Sequence, residues 1–440
     1  MPATTSGRFV RRDFPGRWGP LSALSTLARC CAPLLMMILG GCAAPAEDAP
    51  QATVLDTLPV VRPGIEVLLS DSLHLVRGKR VGLITNHTGI DRTGKSTIDL
   101  LREQPDVQLV ALYAPEHGIR GAEGAGARID DSVDEKTGIP IHSVYGTAEK
   151  FSQEMLEGVD ALVFDIQDVG VRYYTYPSTM AYGMIAAGVK GIPFIVLDRP
   201  NPIRGDVVQG NVLDTAYSSF VGLYPVPMRH GLTMGELARL LVGEFGIQVE
   251  LHVVPVDGLR RDMTFDRTGL PWLPPSPSMP TLESALVYAG TCLFEATPLS
   301  VGRGTEHAYQ WVGAPWLDGE ELAAALNARG IPGVRFDPAT FTPVHAGDRK
   351  FEGVEVHGVT LVPLATDYDA PRAGLATLVE VYKRSRDHWE WSTGAMDRLS
   401  GTDRIRLAID AGKDVDEITA GWDEADAAFK QLSASYLIYR

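Results

Sequence analysis

The sequence has few cysteines and no excess of basic residues. Of its 440 residues only four are cysteine, and three of these, Cys30, Cys31 and Cys42, lie near the N-terminus. Cys292 is the remaining one, so we expect no intramolecular disulfide in the body of the chain and interpret Cys292 as a buried small hydrophobe. The formal net charge of −15 argues against nucleic acid as a partner, because binding phosphate requires clustered Lys and Arg.

Three motifs of common catalytic and cofactor sites are also missing. The sequence contains no Gly-x-Ser-x-Gly, which argues against a serine hydrolase of the common α/β type. It contains no His-x-x-x-His and no cysteine cluster, so we expect no metal. No Gly-x-Gly-x-x-Gly opens a helix after the first predicted strand, and the nearest segment, Gly121–Gly126, carries Glu123, which would repel a pyrophosphate. We therefore expect no cofactor.

Residues 1–42 have the pattern of a targeting segment. Five arginines precede an apolar run that is too short to remain as a membrane-spanning helix. The run ends in Leu39-Gly-Gly-Cys42, which resembles a bacterial lipobox and predicts lipidation of Cys42. The alternative is an ordinary secretory signal that is cut near Ala43. Residues 43–63 are rich in Ala, Pro and acidic residues and predict a flexible tether.

Strand-like and helix-like segments alternate from residue 64 to about residue 280. Apolar runs rich in Val, Ile and Leu are separated by helical patterns such as Ala148–Glu157, Ser178–Ala187 and the helix that starts at the capping box Thr233–Glu236. This alternation predicts an α/β domain over residues 64–280, with a Rossmann-like, doubly wound parallel sheet. Residues 281–440 mix short strands with helices and predict a smaller α+β C-terminal domain.

Four predicted strands end in polar residues, and this pattern is the most informative one in the sequence. The strands and their ends span Arg80–His87, Gln108–His117, Ala161–Asp168 and Pro193–Arg199. Open parallel sheets bind ligands outside the carboxyl ends of their strands, so we expect these ends to face one crevice. The candidate site residues at or just after the strand ends are Asn86, His87, Glu116, His117, Arg120, Asp165, Gln167, Asp168, Arg172, Tyr174, Arg199 and Asn201.

The carboxylates in this set indicate acid–base chemistry of the kind that a sugar site needs. Glu116, beside a histidine and several glycines, is the candidate general acid, and a structural ion pair with Arg120 is the alternative. Asp165 or Asp168 is the candidate partner carboxylate. Tyr174 belongs to a tyrosine cluster that could stack on pyranose rings. Ordinary packing is the alternative for the tyrosines, and a strand-end cap is the alternative for Asp165.

Two segments beyond these strands are candidates for the rest of the site. Val301–His307 contains Arg303 and Glu306 among glycines, and it is either a loop that completes the site across a domain cleft or a surface turn. Pro271–Pro280 has five prolines in ten residues and cannot form regular secondary structure. It is either a linker or a rigid wall of the site.

Five blocks of this sequence resemble, in the same order, those of the NamZ (YbbC-like) exo-β-N-acetylmuramidase family. The blocks are Val81–Gly89, Ala114–Gly121, Phe164–Tyr176, Leu197–Pro202 and Gly302–Glu306, and the resemblance covers residues 64–440. It implies a Rossmann-like domain with an ancillary C-terminal domain and a site in the cleft between them. It also implies hydrolysis of terminal non-reducing N-acetylmuramic acid from peptidoglycan fragments.

The resemblance implies a ligand and a compartment as well. The expected partners are peptidoglycan fragments, whose lactyl carboxylate would be bound by Arg172, Arg199, Arg204 or Arg303. A lipid-anchored protein on the periplasmic face of the outer membrane fits this substrate, since Ala43 rather than Asp follows the lipobox cysteine. A non-catalytic, muropeptide-binding envelope lipoprotein is the alternative function. The residues do not distinguish a retaining, an inverting and a substrate-assisted mechanism.

Overall fold

The structure, a computed structural model, describes residues 61–121, 123–124, 126–127, 130–145 and 151–440. The predicted signal segment, Cys42 and the predicted tether up to residue 60 lie outside these residues. The last tether residues, 61–63, belong to the fold, because Val61 is buried and Arg62 forms an ion pair with Asp257. The folded part therefore includes Val61, three residues before the predicted boundary at residue 64.

The elements of the N-terminal part alternate between strands and helices, as the sequence predicts. In chain order they are α1 (Gly64–Asp71), β1 (Arg80–Thr85), α2 (Thr97–Arg102), β2 (Gln108–Ala114), β3 (Ser132–Val133), β4 (Pro140–Ser143), β5 (Ala161–Asp165), α3 (Tyr176–Lys190), β6 (Phe194–Leu197), β7 (Gln209–Val212), β8 (Pro227–Arg229), α4 (Met234–Gly243) and β9 (Leu251–Val254). Of the predicted helix Ala148–Glu157, the described residues contain a 3-10 turn at Glu154–Leu156.

The central sheet has seven strands in the order β3-β4-β2-β1-β5-β6-β9. All neighbouring pairs are parallel except β3 with β4. The parallel strands, numbered in chain order, follow the 3-2-1-4-5-6 arrangement of a Rossmann-like sheet, so the strand order reverses between β1 and β5. Every residue of β5 and β6 is buried, as expected for strands that helices cover on both faces. The predicted fold class is confirmed.

Two helices show how the sequence builds the edge at which these strands end. α4 begins with the predicted capping box, in which Thr233 and Glu236 each accept a hydrogen bond from the backbone N–H of the other. α3 begins two residues before the predicted Ser178 cap. Its N-cap residue, Thr175, has helical backbone angles and makes no capping hydrogen bond, and its hydroxyl donates to Glu116.

The C-terminal part contains a three-stranded antiparallel sheet in the order β10-β12-β11 together with helices. Its elements are α5 (Leu282–Thr291), β10 (Trp311–Ala314), α6 (Gly319–Asn327), β11 (Val334–Phe341), β12 (Val356–Pro363), α7 (Ala370–Arg384), α8 (Thr393–Ser400), α9 (Arg404–Asp410), α10 (Val415–Ile418) and α11 (Trp422–Ser433). The predicted smaller α+β part is thereby confirmed.

One apolar core joins the two parts of the described chain. It runs from β5 and α3 through α5 and α7 to β12. Within it α5 and α7 approach closely, and a Cβ on Gly290 would lie 2.0 Å from the Ala370 carbonyl oxygen. In the part of the chain that the structure describes, no helix has the length and apolarity needed to cross a bilayer. The shared core fixes the C-terminal part against the carboxyl edge of the central sheet.

Candidate active site

A cavity of about 380 Å³ opens at the carboxyl edge of the central sheet. Its walls come from the chain after β2, the chain after β5, the proline-rich segment and the C-terminal part. The lining residues with polar or aromatic side chains are Glu116, His117, Tyr145, Tyr173, Tyr174, Thr175, Ser276, Tyr288, Glu295, Arg303, Tyr309 and Asp348. Since β2 and β5 flank β1, the cavity lies beside the reversal of strand order, where Rossmann-like sheets bind ligands.

Glu116 is the first carboxylate of this cavity, and it accepts three hydrogen bonds. Its Oε1 accepts from the Tyr145 hydroxyl and from the Gly126 backbone N–H, both at 2.9 Å. Its Oε2 accepts from the Thr175 hydroxyl at 2.6 Å. Hydroxyl groups can accept as well as donate, so the same contacts also accommodate a protonated Glu116. The group is therefore fixed in position and compatible with both states of a general acid.

His117 follows Glu116 and has a backbone φ of 70°, a left-handed conformation that is uncommon outside glycine. Its Nδ1 lies 2.7 Å from the Glu123 carbonyl oxygen. A carbonyl oxygen only accepts, so Nδ1 carries a proton, and in the neutral tautomer that this contact selects Nε2 is the acceptor. Because His117 lines the cavity, this nitrogen can accept a hydrogen bond from a ligand hydroxyl or amide.

The second carboxylate of the cavity is Glu295, which lies in the C-terminal part on a short 3-10 helix, Cys292–Ala296. Its Oε1 accepts hydrogen bonds from the Arg303 guanidinium and the Tyr309 hydroxyl. Its Oε2 has no hydrogen-bond partner among the described residues, and 30% of the side chain is exposed. An ion pair requires the charged carboxylate, so Glu295 offers an anionic oxygen to a ligand.

Arg303 is the cation of the cavity and touches two of its walls. It donates to the Ser278 hydroxyl at 2.6 Å, and its guanidinium carbon lies 5.2 Å from the centre of the Tyr309 ring. Ser278 and the cavity-lining Ser276 both belong to Pro271–Pro280. The proline-rich segment is therefore a wall of the cavity, which was one of its two predicted roles.

A loop of the C-terminal part, residues 343–353, forms another wall through Gly347 and Asp348. Lys350 anchors this loop, because its ammonium group donates to four backbone carbonyl groups at 2.7–3.4 Å. These are the carbonyl groups of Phe294, Glu295, Thr297 and Leu299. Burial lowers the pKa of Lys350. Lys350 thus ties the wall to the end of the short helix that carries Glu295.

Tyr174 reaches the cavity as predicted, and its hydroxyl lies near the Ser276 and Tyr176 side chains without a well-aligned hydrogen bond to any described residue. Burial raises the pKa of Tyr174, so the phenol keeps its proton and can donate. The Tyr176 and Tyr288 rings hold it edge-on, with ring centres 4.9 and 6.0 Å away. A buried hydroxyl is costly to leave unpaired, which favours a hydrogen bond from Tyr174 to a ligand.

Asp165 and Arg199 lie at strand ends as predicted, but neither lines this cavity. Arg199 donates to the Asp165 carboxylate at 2.5 and 3.1 Å and to the Ile90 carbonyl at 2.7 Å. The Thr97 hydroxyl donates to the same carboxylate. The two charged side chains are 5% and 0% exposed. Asp165 and Arg199, which the sequence predicts for catalysis and binding, therefore form a buried ion pair between the ends of neighbouring strands.

Four other predicted residues use their side chains within the scaffold, and none of them lines the main cavity. Asn86 bonds Tyr176 and Thr88, His87 contacts the Pro274 carbonyl, Gln167 donates to the Pro200 carbonyl and Asn201 donates to the Leu232 carbonyl, all at 2.6–3.0 Å. Tyr176 also donates to the Pro275 carbonyl at 2.8 Å. His87 and Tyr176 thereby hold the proline-rich wall in place.

Arg120 and Glu306 also stay away from the cavity. Arg120 pairs with Asp134 at 2.5 Å, and its side chain is 58% exposed. The alternative interpretation of Glu116 as the ion-pair partner of Arg120 is therefore wrong. Glu306 is exposed, whereas Arg303 in the same turn lines the cavity.

Arg172 is buried and binds backbone carbonyl groups rather than the cavity. It donates to the Asn211 carbonyl at 2.7 Å and to the Ser400 carbonyl at 2.8 Å, and these residues come from the two parts of the chain. Burial lowers the pKa of Arg172 to about 10. Arg204 is occupied as well, since it pairs with Asp206 at 2.7 Å. Of the four arginines proposed for the lactyl group, the structure brings Arg303 to the cavity.

Asp168 is buried without lining the main cavity. Its Oδ2 accepts from the Gly170 backbone N–H at 2.7 Å, and its Oδ1 has no partner among the described residues. Burial raises the pKa of Asp168 to about 7, because the charged form is poorly solvated there. Asp168 therefore lies close enough to the cavity-lining Tyr174 to interact with it electrostatically, without lining the cavity itself.

Sequence reasoning missed Tyr145, Thr175, Glu295 and Tyr309. Thr175 directly follows Tyr174, so the strand-end pattern could have included it. Glu295 had a weaker signal, a lone carboxylate in the apolar segment Cys292–Ala296, since a charge in such a segment usually has a partner or a role. Tyr145 and Tyr309 have no local signal, because their contacts with Glu116 and Glu295 are made only on folding.

The fold and the cavity together define a class: Rossmann-like α/β proteins with a carboxylate-lined cavity closed by a C-terminal α+β part. The chain belongs to the family of exo-β-N-acetylmuramidase NamZ. The model of the family's N-terminal domain matches residues 81–283, and that of its C-terminal domain matches residues 286–439. The family resemblance read from the five sequence blocks is thereby confirmed.

Relatives of this family are similar over most of the chain. The peptidoglycan β-N-acetylmuramidase NamZ of Bacillus subtilis strain 168 is 45% identical over 383 residues, which is 87% of this chain and 92% of that protein. A crystal structure of a DUF1343 family protein of Bacteroides fragilis has 37% identity and a TM-score of 0.81, covering 87% of this chain and 99% of that one. Another from the same organism has 32% identity and a TM-score of 0.71, covering 86% and 99%.

Proposed function

We propose that the protein is an exo-β-N-acetylmuramidase that releases terminal non-reducing N-acetylmuramic acid from peptidoglycan fragments. Membership in the NamZ family and 45% identity to a peptidoglycan β-N-acetylmuramidase support the reaction and do not favour the non-catalytic alternative. The observation that carries the proposal to this chain's residues is the pair of glutamates, Glu116 and Glu295, among the residues that line one cavity. Glycoside hydrolysis generally uses two carboxyl groups beside the scissile bond.

In this proposal Glu116 is the general acid that protonates the leaving oxygen. A positioned acid of this kind contributes about 10²–10⁴-fold to the rate. Once the proton has left, the Tyr145 and Thr175 hydroxyls and the Gly126 N–H stabilise the carboxylate that remains. The same three donors therefore hold the acid before the reaction and its conjugate base afterwards.

Glu295 is the anionic partner in this proposal. It activates water, attacks the anomeric carbon or orients the acetamido group of the substrate, and each of these routes needs a charged carboxylate. Arg303 and Tyr309 maintain that charge through Oε1. We assign this role to Glu295 rather than to Asp165, whose carboxylate is enclosed by its ion pair, or to Asp168, which does not line the cavity.

Arg303 binds the lactyl carboxylate that distinguishes N-acetylmuramic acid from N-acetylglucosamine. A guanidinium group has five N–H donors in a planar fork. Arg303 directs three hydrogen bonds to Ser278, Glu295 and Tyr309, from its two terminal nitrogens. Its Nε–H and one further N–H remain for a ligand. A rigid and partly committed arginine loses little freedom on binding a carboxylate.

The ratio of two turnover rates tests this assignment. β-linked nitrophenyl glycosides of N-acetylmuramic acid and N-acetylglucosamine are compared at matched concentration. The wild-type protein is expected to turn over the muramoside selectively. Arg303→Met should lower the selectivity ratio by about 10–100-fold, the equivalent of one charge-assisted hydrogen bond of ~1.5–3 kcal/mol. Both glycosides need Glu295, so any displacement of Glu295 by the substitution lowers both turnover rates and cancels in their ratio. Equal turnover of both glycosides by the wild type would refute the proposal.

We further propose that Cys42 is lipidated and holds the protein on the periplasmic face of the outer membrane. The order of arginines, apolar run and Leu39-Gly-Gly-Cys42 supports this, and so does a substrate that lies in the cell envelope. Cells fed radiolabelled palmitate should label the wild type, whereas Cys42→Ala should lose the label and move to the soluble envelope fraction. Labelling of Cys42→Ala at the wild-type level would contradict the anchor.

A further inference from the structure

An aromatic track leads away from the cavity, and we define it as Tyr145, Phe220, Tyr182, Tyr224 and Phe245. The ring centres of Tyr145 and Phe220 are 5.6 Å apart, and those of Phe220 and Tyr182 are 6.0 Å apart with nearly parallel planes. Tyr224 and Phe245 stack at 5.2 Å. Burial raises the pKa of Tyr224 to about 12, with a smaller contribution from the nearby Tyr182. The track thus runs from a cavity residue, Tyr145, toward the end of α3.

The half-buried Tyr182 shares its face of α3 with two exposed aliphatic side chains, which extend the same surface. Tyr182, Ile185 and Val189 follow the i, i+3, i+7 spacing of one helix face. Ile185 is 40% exposed and Val189 is 71% exposed. With Tyr224 and Phe245 the two aliphatic residues line a second, open cavity of about 350 Å³. A contiguous exposed apolar surface of this kind marks a binding site more often than chance exposure.

The chemistry of this surface identifies its occupant. None of the described residues that line the second cavity is charged, so a phosphate or an acidic peptide finds no counter-charge there. Aromatic ring faces suit the apolar faces of pyranose rings, because both partners bury apolar area in a flat contact. The track starts at Tyr145, whose hydroxyl donates to Glu116. A ligand on the track can therefore be continuous with a sugar held beside the general acid.

We propose that the aromatic track binds the glycan chain on the leaving-group side of the scissile bond, a chain of β-linked N-acetylated pyranoses. The inference rests on the proposed function and adds a binding surface to it. The terminal sugar lies in the main cavity, the next sugar passes Glu116 and Tyr145, and the following sugars stack on Phe220 and Tyr182. Longer fragments therefore bind more tightly than a single muramoside, and the additional binding free energy comes from contacts with the aromatic track.

The test compares two substrates in variants of the track. One substrate is a nitrophenyl muramoside, whose single aglycone ring takes the place of the next sugar beside Tyr145, and the other is a tetrasaccharide with N-acetylmuramic acid at its non-reducing end. Phe220→Ala and Tyr182→Ala should each raise KM for the tetrasaccharide by about three- to tenfold, the equivalent of one aromatic stacking contact. Both should leave kcat and KM for the muramoside within twofold of wild type.

Leu364→Ala is the matched control, because Leu364 is an apolar side chain that is 60% exposed after β12 and lines neither cavity. It should leave both substrates unaffected. Phe220→Leu keeps apolar volume without an aromatic face, so it tests stacking even if the alanine variant folds poorly. Unchanged KM for the tetrasaccharide in Phe220→Leu and Tyr182→Ala, or equal changes on both substrates, would overturn the track.

Failure of the proposed function gives a different result. A folded wild-type protein that hydrolyses neither substrate would refute the glycosidase, and the track would then be tested by calorimetric Kd values for the tetrasaccharide. A rise in Kd of about three- to tenfold in Phe220→Leu would support the track without turnover. An unchanged Kd would overturn it.

Discussion

Arg199→Met removes one partner of the buried ion pair between two strand ends and leaves the other partner charged. The Asp165 and Arg199 side chains are 0% and 5% exposed, and they share two hydrogen bonds. Losing one partner of such a pair costs about 3–5 kcal/mol, because the remaining charge stays buried without compensation. Met fills much of the volume of the arginine stem, so the loss of stability reflects the missing positive charge rather than a cavity. Urea unfolding at pH 7 measures the free energy difference.

Arg335→Met is the matched control for this experiment. Arg335 pairs with Asp337 at 2.7 Å, compared with 2.5 Å for Arg199 and Asp165, but the side chains are 51% and 40% exposed. An exposed pair of this kind contributes about 0–1 kcal/mol. If Arg199→Met costs no more than Arg335→Met, the structural interpretation of the Asp165–Arg199 pair is refuted and the strand-end groups return as candidates for the active site.

Three other changes give separate outcomes. Lys350→Met should lower the free energy of unfolding by about 1–3 kcal/mol, because it leaves buried carbonyl groups unpaired. It should also lower kcat more than it raises KM, because Glu295 moves. Thermal unfolding measures the first effect and steady-state kinetics the second. Burial raises the pKa of Asp168 to about 7, so its stabilising contribution is full below about pH 4 and is lost as the pH rises through 7. Asp168→Asn should therefore be more stable than wild type at pH 8 and lose that advantage toward pH 4 in urea unfolding; a constant difference would contradict the shift. Thr175→Val should lower kcat about three- to tenfold through the lost hydrogen bond to Glu116, and Thr175→Ser should restore it.

The fold could be predicted from the sequence because its signals are local. Continuous Val, Ile and Leu runs such as those of β5 and β6 specify strands that are buried on both faces. The capping box of α4 specifies the start of a helix from four residues. Right-handed crossovers then leave few arrangements of the sheet. Glu116, His117, Tyr174 and Arg303 were found in the same way, from strand ends and a Gly-rich turn.

The rest of the site depends on contacts between distant segments. A strand-end carboxylate has the same sequence signature whether it faces a ligand, as Glu116 does, or a neighbouring arginine, as Asp165 does. Burial and pairing decide between these outcomes, and both appear only in the folded chain. Glu295 could not be ranked from its neighbours for the same reason, since its partners Arg303 and Tyr309 are 8 and 14 residues away.

The most direct test of these roles is the rate at which N-acetylmuramic acid is released from a disaccharide in which it is β-linked to N-acetylglucosamine, because this sugar leaving group departs only with a proton. Wild type, Glu116→Gln, Glu295→Gln and Asp165→Asn are compared. We expect both glutamine variants to fold and to lose at least about 10²-fold in kcat. We expect Asp165→Asn to lose stability, while its folded fraction keeps most of its activity. A folded Glu116→Gln that retains more than about a tenth of wild-type turnover would contradict the assignment of Glu116 as the general acid.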